Sequence, residues 1–567
     1  MTHMGVFNRC CACATVWIAL TATGFALDVE AVSGGRDLYA VPTFECIGVY
    51  FKTDEAGECT IHYRKINDPA WQQGLSLFYD ARQGEYRGSV VGLEPGTEYD
   101  IRLECGAKKV NLSSRTKSEQ FPIGKTTYLE GGSTSEIIHV TESGTPDAYH
   151  LITPREGAKA TIDVHNAVKD TAIVNASYVI LRGIELKNAA RHGILVAKKR
   201  HDIVIEDCRI TFWGGTGGPL SAGNSGGMDS AIFAEEGTGN LIVQRNLIEH
   251  PRGATNDWDS GHPSGPQAVT LNNSTGGNII RYNEIRSSED HGFSDAIGGR
   301  SNYSAAGCPN RDSDIYGNII RNVWDDAIES DGANMNVRIW GNYTDLTVQF
   351  VSSASTTYGP LYVFRNVWHR SRRSHRDSIG GAMMKTGERG KFKGGRRYVF
   401  HNTALQPGGA LHAFTGRGIG NNVSRNNVFD CRGQLTGSGP VEIPSDHDYD
   451  YFAGMQRGIA EELHGVRQRW RGQGFAETYN LEFYPSATIN KTQWGKIPID
   501  FAGEVKIITD PVVTVRNPII DAGIVIPGFN DDYSGEAPDL GAFELGRPPL
   551  KFGRRAGGTV WAPWELN

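Results

Sequence analysis

The chain has 567 residues, of which 70 are glycine and 39% are hydrophobic. That is enough material for two or three domains with a large core, and it argues against disorder. The formal net charge of −7 is modest for this length, so it gives no reason to expect nucleic acid as a partner.

Residues 1–26 have the layout of a secretory signal peptide, with a lone Arg9, an apolar run, and small residues at Gly24 and Ala26. No other apolar run approaches the ~20 residues of a membrane span. We therefore expect a secreted or periplasmic protein without a transmembrane segment in the mature chain. Six cysteines follow the signal, at spacings that permit disulfides but predict no pairing: Cys46, Cys59, Cys105, Cys208, Cys308 and Cys431.

Residues 27–120 alternate apolar and polar positions in short runs such as CTIHYRK and TEYDIRLEC. Turn residues between the runs predict a small antiparallel β-sandwich. The stretch VVGLEPGTEYDIRLEC resembles the tyrosine-corner region of fibronectin type III modules, with Tyr99 as the corner tyrosine. By this analogy the segment is an accessory module. The alternative is a carbohydrate-binding sandwich that uses Trp71 and Tyr79.

A short pattern then returns from Tyr178 to Cys431: alternating apolar residues, one slot residue, and an apolar pair. Successive slots are 25, 38, 37, 35, 24, 24, 36 and 25 residues apart. Such a period predicts a solenoid in which each repeat is one coil that must stack on its neighbours. Seven of the nine slots hold Asn, which tolerates turn conformations and can bond to the Asn above and below; the slots are Gly183, Cys208, Asn246, Asn283, Asn318, Asn342, Asn366, Asn402 and Asn427.

This pattern resembles the asparagine ladder of right-handed parallel β-helices of the pectate-lyase-like superfamily. We expect an all-β protein with a right-handed parallel β-helix over 121–440, behind the N-terminal antiparallel β-sandwich. Residues 441–567 are expected to be a C-terminal insert and closing segment that covers the end of the helix, with a short amphipathic helix in GIAEELHGVRQRW (458–470). The resemblance leaves the chemistry open, because this superfamily holds lyases, hydrolases, esterases and inert binding shafts.

Extra residues in the longer repeats form four loops, which are predicted to wall a groove along the stack: 213–229, 251–266, 299–313 and 369–381. The strand before each ladder strand should face this groove, with about half of its side chains outward. The outward candidates are Glu235, Asn272, Asp295, Glu329, Asp331 and Lys385.

The densest acidic coils suggest glycoside hydrolysis. Carboxylates on coils ~4.8 Å apart have the separations used by glycosidases, and crowding should raise one pKa to provide a general acid. We therefore expect Asp295 to work with Glu329 or Asp331, while His291 and Arg338 position the substrate. Glu235 and Asn272 would line the groove, and Trp258 and Trp324 could stack sugar rings. In the alternative reading, Asp325 and Asp326 cap a turn, Asp331 closes another, and only Glu329 meets solvent.

The same cluster also suits Ca²⁺, which takes carboxylate and carbonyl oxygens. The resemblance implies a lyase alternative, in which Ca²⁺ cooperates with a Lys or Arg base that removes the proton α to a uronate carboxylate. Lys385 is the candidate base, and the loop RSRRSHRD adds basic residues that include Arg376. These basic residues would bind an anionic polysaccharide, unless they form a solvated loop of ion pairs.

The sequence thus favours an exported polysaccharide-degrading enzyme that hydrolyses glycosidic bonds with paired carboxylates. A Lys- or Arg-based lyase, with Ca²⁺ as its cofactor, is the nearest alternative. A non-catalytic glycan-binding surface protein is the third. No residue is assigned as a metal ligand, and sugar identity is open.

Overall fold

The computed structural model describes residues 37–215, 228–369, 371, 381–405, 412–417, 420–430, 436–438, 443–452, 462–467, 481–482, 506–507, 519–548, 550–558 and 561–565. The regular structure in these residues is β-strand with short 3₁₀ turns at Trp258–Ser260, Glu289–His291, Arg554–Gly557 and Pro563–Glu565. None of the described residues belongs to a helix that is both long and apolar enough to cross a membrane.

Two antiparallel four-stranded sheets form the N-terminal sandwich. One contains Leu38–Pro42, Ile47–Lys52, Glu85–Val90 and Phe78–Asp80, and the other contains Gln72–Gly74, Cys59–Lys65, Glu98–Cys105 and Lys108–Arg115. Alternate residues of both sheets meet in one core that includes Ile47, Ile61 and Ile101. The Tyr99 hydroxyl accepts a hydrogen bond from the Glu94 N–H at 2.9 Å, the backbone contact that a corner tyrosine makes. A Cys59–Cys105 disulfide joins two adjacent strands.

Most of the remaining strands wind into a right-handed parallel β-helix, as predicted. The ladder sheet has twelve strands that precede the slot residues: Ile123–Leu129, Tyr149–Pro154, Val179–Arg182, His201–Glu206, Gly239–Gln244, Ile279–Arg281, Asp314–Tyr316, Val337–Trp340, Leu361–Phe364, Arg397–Phe400, Asn422–Arg425 and Asp446–His447.

The middle sheet consists of the strands that follow the slots: Gly132–Thr134, Ala160–Asp163, Glu185–Lys187, Arg209–Thr211, Leu247–Glu249, Glu284–Arg286, the first halves of Ile319–Glu329 and Tyr343–Ala354, Val367–Trp368, Thr403–Leu405, Val428–Asp430, Tyr451–Phe452 and Val466–Arg467. The groove sheet completes each coil: Ile138–Val140, Asp170–Val174, His192–Val196, Ser230–Ala234, Gln267–Leu271, Ile297–Gly298, the second halves of the two long strands, Ala382–Gly387, His412–Arg417 and Thr436–Ser438. Two short antiparallel pairs lie outside these sheets: Gly307–Cys308 with Asp331–Gly332, and Leu481–Glu482 with Lys506–Ile507.

From Cys208 to Asn427 the slot residues form one continuous hydrogen-bonded column inside the tube. Asn342 is typical: its Nδ2 donates to the Ile315 carbonyl at 2.9 Å and to Asn366 Oδ1 at 3.0 Å, and its Oδ1 accepts from the Asn318 N–H at 3.1 Å. Beside this column, aliphatic side chains such as Val363 fill the interior. The amide column therefore satisfies turn backbone that would otherwise be buried without partners.

The tube continues beyond the predicted boundary at 440. Asp450 occupies the next slot and accepts from Asn427 Nδ2 at 2.8 Å. Val466–Arg467 then pairs in parallel with Tyr451–Phe452, so the amphipathic helix predicted over 458–470 is wrong for the described residues 462–467. The sequence pattern missed this coil because its slot holds Asp rather than Asn.

The C-terminal tail runs back along the outside of the tube instead of only covering its end. Gly541 donates its N–H to the Asn426 carbonyl at 2.6 Å on a late coil. Further on, Gly553 donates to the Gly317 carbonyl at 2.8 Å, and Trp564 Nε1 donates to the Asp207 carbonyl at 2.8 Å on an early coil. We call residues 519–565, in their described parts, the strap.

The sandwich is docked on the outer face of the ladder sheet. The fully buried Arg338 donates from Nε to Asp314 Oδ1 at 2.6 Å and from its terminal nitrogens to Ser89 and Thr43 of the sandwich at 3.3 and 3.4 Å. Tyr50 of the sandwich donates its hydroxyl to Asp312 Oδ1 at 2.8 Å. The sandwich therefore covers a face other than the groove sheet.

Candidate functional site

Strand register stacks acidic residues on the outer face of the groove sheet. Ile297 pairs with Ile328, so Asp295 lies beside Asp326 on the next coil, at the strand spacing of about 4.8 Å. A second outward column begins at Thr270 and ends at Lys385, and it runs through Gly298, Glu329 and Ser352.

A β-bulge turns two neighbouring aspartates to the same side. Between Val323 and Asp326 the strand advances three residues, while its partner advances only two, from Thr347 to Gln349. Such an extra residue breaks the alternation of side chains along a strand. The carboxylates of Asp325 and Asp326 consequently join that of Asp295 in one group whose ligand atoms lie within 4.8 Å of one another.

Lys385 reaches this group from two coils further along the stack. Its Nζ is 2.6 Å from Asp326 Oδ2 and 3.8 Å from Asp325 Oδ1. Asp295 is held independently, because its Oδ1 accepts from the Asp326 N–H at 3.0 Å and its Oδ2 from Gln267 Nε2 at 2.8 Å. The site thus combines fixed carboxylates with one ammonium group.

The loop 299–313 closes over the cluster and fixes its other two acids. Asn302 Nδ2 donates to Glu329 Oε1 at 2.9 Å and to Asp331 Oδ2 at 2.7 Å. Glu329 Oε2 also accepts from the Gly299 N–H at 2.9 Å, and Asp331 Oδ1 accepts from Ser352 Oγ at 3.1 Å. One side-chain amide therefore bridges two carboxylates and ties the loop to the groove sheet.

The loop 251–266 approaches from the opposite side. His262 Nε2 lies 3.4 Å from Asp325 Oδ2, although the imidazole is 70% exposed. The Trp258 ring packs against His262 with centroids 4.7 Å apart. For the two loops that the structure describes, 251–266 and 299–313, this arrangement agrees with the prediction that the loops wall a groove, and Trp258 lies at the groove.

Burial and mutual repulsion dominate the electrostatics of the acids. Asp295 is 9% exposed, and burial followed by the Asp326 charge raises its pKa to about 7. Burial raises the pKa of Asp331 to about 6, against the opposing effect of Lys385. Burial also holds the pKa values of Glu329 and Asp325 well above their ordinary range, with charges of neighbouring acids acting in the same direction.

Lys385 experiences the opposite balance. Burial acts to lower its pKa, but the charges of Asp326, Asp325 and Asp331 outweigh it, so the pKa lies well above the ordinary lysine value. In this state the lysine is an ammonium group that neutralises the aspartates. It would become a base only if another positive charge took over that role.

The aspartate group fits a hard cation. Asp325 Oδ1 and Asp326 Oδ1 are buried and accept no hydrogen bond from the described residues. Three neighbouring carboxylates, two of them with an orphaned oxygen, are the kind of donor set that Ca²⁺ prefers. Asp295, Asp325 and Asp326 are therefore the residues that would hold such an ion.

Other predicted site residues lie away from the cluster. Arg338 belongs to the ladder sheet, where it faces the sandwich, so its predicted substrate role is wrong. His291 Nδ1 donates to the Pro251 carbonyl at 2.8 Å, and its ring packs near His250 and Phe212, away from the aspartates. Trp324 is 4% exposed and packs against Gly292, so it offers no face for a sugar.

Glu235 and Asn272 follow groove strands on the two coils before that of Asp295, and both are half-buried. Glu235 Oε2 accepts from the Lys198 N–H at 3.1 Å. They extend the groove rather than join the cluster. Arg376 lies outside the described residues.

Four contributors were not among the predicted site residues. Asp325 and Asp326 had an alternative reading as turn caps, but they lie within the strand Ile319–Glu329. Asn302 and His262 are in loops, where no periodicity marks the direction of a side chain. The acidic run of Asp325, Asp326 and Glu329 was the one usable signal, since it puts three carboxylates in one short segment.

Comparisons with known proteins add little to this description. No protein-family model matches the chain, and no curated protein gives a significant match. Among solved structures, the chain is similar to the pectate lyase Pel9A at 14% identity, with 76% of this chain and 91% of that chain covered and a TM-score of 0.34. A structure described as a glycoside hydrolase matches at 10% identity, with 70% and 78% covered and a TM-score of 0.28.

A third similar structure is the catalytic unit of a thermostable GH87 α-1,3-glucanase from Streptomyces thermodiastaticus strain HF3-3. It matches at 11% identity, with 76% of this chain and 89% of that chain covered and a TM-score of 0.23. At such values none of these likenesses carries an argument about chemistry. The assignment of function must come from the site.

Proposed function

We propose that this protein is a carbohydrate-active enzyme of the lyase type, which cleaves a uronate-containing polysaccharide by β-elimination with Lys385 as the base. The observation that carries this proposal is the 2.6 Å contact of Lys385 Nζ with Asp326 Oδ2, inside a group of buried aspartates with orphaned oxygens. A general base and a bound cation can together remove a weakly acidic carbon-bound proton, and this site offers an amine and a cation site.

The residues of the cluster divide the work. Asp295, Asp325 and Asp326 would hold Ca²⁺, which when bound supplies positive charge beside the substrate carboxylate and so acidifies the adjacent C5–H. With the aspartate charges neutralised, the pKa of Lys385 falls, and the neutral amine can accept a proton. Asn302 keeps Glu329 and Asp331 in place at the groove.

The reaction balances within the substrate. Lys385 Nζ takes the C5 proton, the released electron pair forms the C4–C5 double bond, and the C4–O bond breaks. The leaving oxygen takes a proton from solvent. The products are a new chain end and an unsaturated uronate, with no water consumed.

Hydrolysis by paired carboxylates is the second candidate, favoured by a different observation. Asp295 has a pKa of about 7, and the pKa of Glu329 is well above its usual range, which suits a general acid. Against hydrolysis, Lys385 is bonded to Asp326 and Asn302 is bonded to Glu329. Carboxylate oxygens that an attacking water and a glycosidic oxygen would need are therefore already occupied.

Export and an accessory role for the sandwich complete the proposal. The Cys59–Cys105 disulfide supports folding in an oxidising compartment, as a secreted or periplasmic enzyme would require. The sandwich, which the sequence likens to a fibronectin type III module, buttresses the ladder sheet opposite the chemistry.

A panel of acidic and neutral polysaccharides tests these alternatives. We expect an increase in ultraviolet absorbance from the unsaturated product with a polyuronate, abolished by chelator and restored by Ca²⁺. Lys385→Met should lower the rate by about 10²- to 10⁴-fold, whereas Lys108→Met, which removes an exposed ion-paired lysine of the sandwich, should not change it. New reducing ends without this absorbance would establish hydrolysis. If neither signal appeared, a glycan-binding protein would remain as the explanation.

A further inference from the structure

Two exposed arginines stand on aromatic rings at the groove. The Arg300 guanidinium carbon lies 5.5 Å from the Phe233 ring centre, and its Nε is 3.0 Å from Met228 Sδ. The Arg389 guanidinium carbon lies 5.8 Å from the ring centre of Tyr303, which is itself 40% exposed. Ring contacts hold the charged group in place while its N–H donors remain available to a ligand.

These two guanidinium groups differ from other arginines around the tube. Arg191 is paired with Asp170 at 2.6 Å, Arg286 with Glu249 at 3.5 Å, and Arg397 with Glu388 at 3.6 Å. Among the described residues, neither Arg300 nor Arg389 has a carboxylate within ion-pair distance. Their charge is thus uncompensated within the described part of the protein.

The two arginines bracket the acidic cluster along the stack. One end of the outward column is Phe233, which lies beneath Arg300, and the other end is Lys385, on the coil of Arg389. Between these ends the column contains Thr270, Gly298, Glu329 and Ser352. Five strand spacings separate its ends, which corresponds to roughly 24 Å. A ligand that reaches from the Phe233 end of this column to the Lys385 end would therefore be a chain rather than a single sugar.

We propose that Arg300 and Arg389 bind carboxylates of a polyuronate chain at two points, one on each side of the aspartate cluster. This inference rests on the proposed function and narrows it, because it assigns a polymer with acidic groups at repeated positions as the substrate. A guanidinium group pairs with a carboxylate through two parallel N–H donors, which gives both affinity and orientation. The chain would cross the cluster with its acidic groups anchored at both ends.

Binding to the full-length chain, measured by calorimetry in a Lys385→Met background so that the polymer stays intact, tests this proposal. Arg300→Ala and Arg389→Ala should each weaken the affinity for polygalacturonate about tenfold. The matched control is Arg155→Ala, an exposed arginine over the Tyr128 ring that is already paired with Glu130 and lies far from the groove. It should bind like the parent.

Three outcomes overturn the proposal: unchanged affinity in both groove variants, equal binding of carboxyl-reduced polygalacturonate, or equally tight binding of a sulfated neutral glycan. Because binding is measured without turnover, the result is separate from the proposed reaction. If binding depended on the arginines but the parent protein did not cleave the polymer, the lyase would be refuted and the inference kept. If the parent protein cleaved the polymer and neither arginine substitution changed the KM, the lyase would be kept and the inference refuted.

Discussion

Lys385 and Asp326 are 59 residues apart in the sequence, yet Nζ of the first lies 2.6 Å from Oδ2 of the second. Stacking of coils accounts for this, because the lysine crosses one intervening strand to reach an aspartate two coils earlier. This ion pair controls the proposed chemistry. While the Lys385 ammonium group neutralises the aspartates, it keeps its proton and cannot act as a base.

Calcium should stabilise the folded protein through the aspartate group. At a concentration one hundred times its dissociation constant, an ion that binds only the native state adds about 2.7 kcal/mol. We expect the thermal midpoint to rise with Ca²⁺ and to return with chelator, and Asp325→Asn combined with Asp326→Asn should abolish the rise. Asp54→Asn, at an exposed sandwich position, is the control. An equal shift in the double variant would place the ion elsewhere.

Asn302 should act as a positioning residue for the two acids that it bridges. Asn302→Ala removes the shared donor to Glu329 and Asp331, and we expect kcat to fall about 10- to 100-fold with little change in KM, because displacing these acids changes the charge around Lys385 and small disturbances of a reacting group are costly. Asn302→Asp should be worse, since it replaces the shared donor with a third acid beside two that already repel each other. Steady-state kinetics with a parallel melting curve would check this. A fall in stability without a change in kcat would reduce Asn302 to a loop anchor.

Arg338 should matter for stability and not for catalysis. Arg338→Met leaves Asp314 buried without its partner, and breaking such a pair costs about 3–5 kcal/mol. Denaturant unfolding should show this loss, and Asp314→Asn in the same chain should recover part of it. Initial rates per folded molecule should equal those of the parent. A raised KM in Arg338→Met would instead return this arginine to the substrate site.

Asp450 should make stability depend on pH near neutrality. Burial raises its pKa to about 7, so the folded state holds a proton that the unfolded chain releases from about pH 4 upward, and stability falls as pH rises between these values. Asp450→Asn should remove this fall and gain about 1–3 kcal/mol at neutral pH. Urea unfolding at acidic and neutral pH measures the difference. The same gain at both pH values would contradict this explanation.

Much of the fold could be predicted from the sequence because the Asn column obeys a strict physical rule. Each slot amide bonds to its neighbours on adjacent coils, as Asn283 does with Asn318 at 2.9 Å, so the residue type recurs wherever a coil turns. The coil at Asp450 was not predicted, because its slot holds a carboxylate instead of an amide. The sandwich was visible through simple alternation.

The site was only partly predictable, because alternation fails where the chain adds a residue. The bulge before Asp326 shifts the phase of the strand, so alternation alone does not give the directions of Asp325 and Asp326, which the sequence left open to a turn-cap role. Arg338 was misplaced for an avoidable reason: VRIW directly precedes the Asn342 slot, which assigns it to the ladder sheet and not to the groove. Asn302 could not be found by spacing at all, since its position depends on the path of a loop.

The strap has a mechanical meaning for the whole molecule. Stacked repeats ordinarily fray from their ends, one neighbour contact at a time. Here the last residues of the chain hold Asp207 on an early coil, while residues about twenty positions before them hold Asn426 on a late one. Unfolding of a late coil would therefore also strain the contacts of the strap with an early coil. We expect the tube to resist proteolysis and heat as one cooperative unit rather than coil by coil.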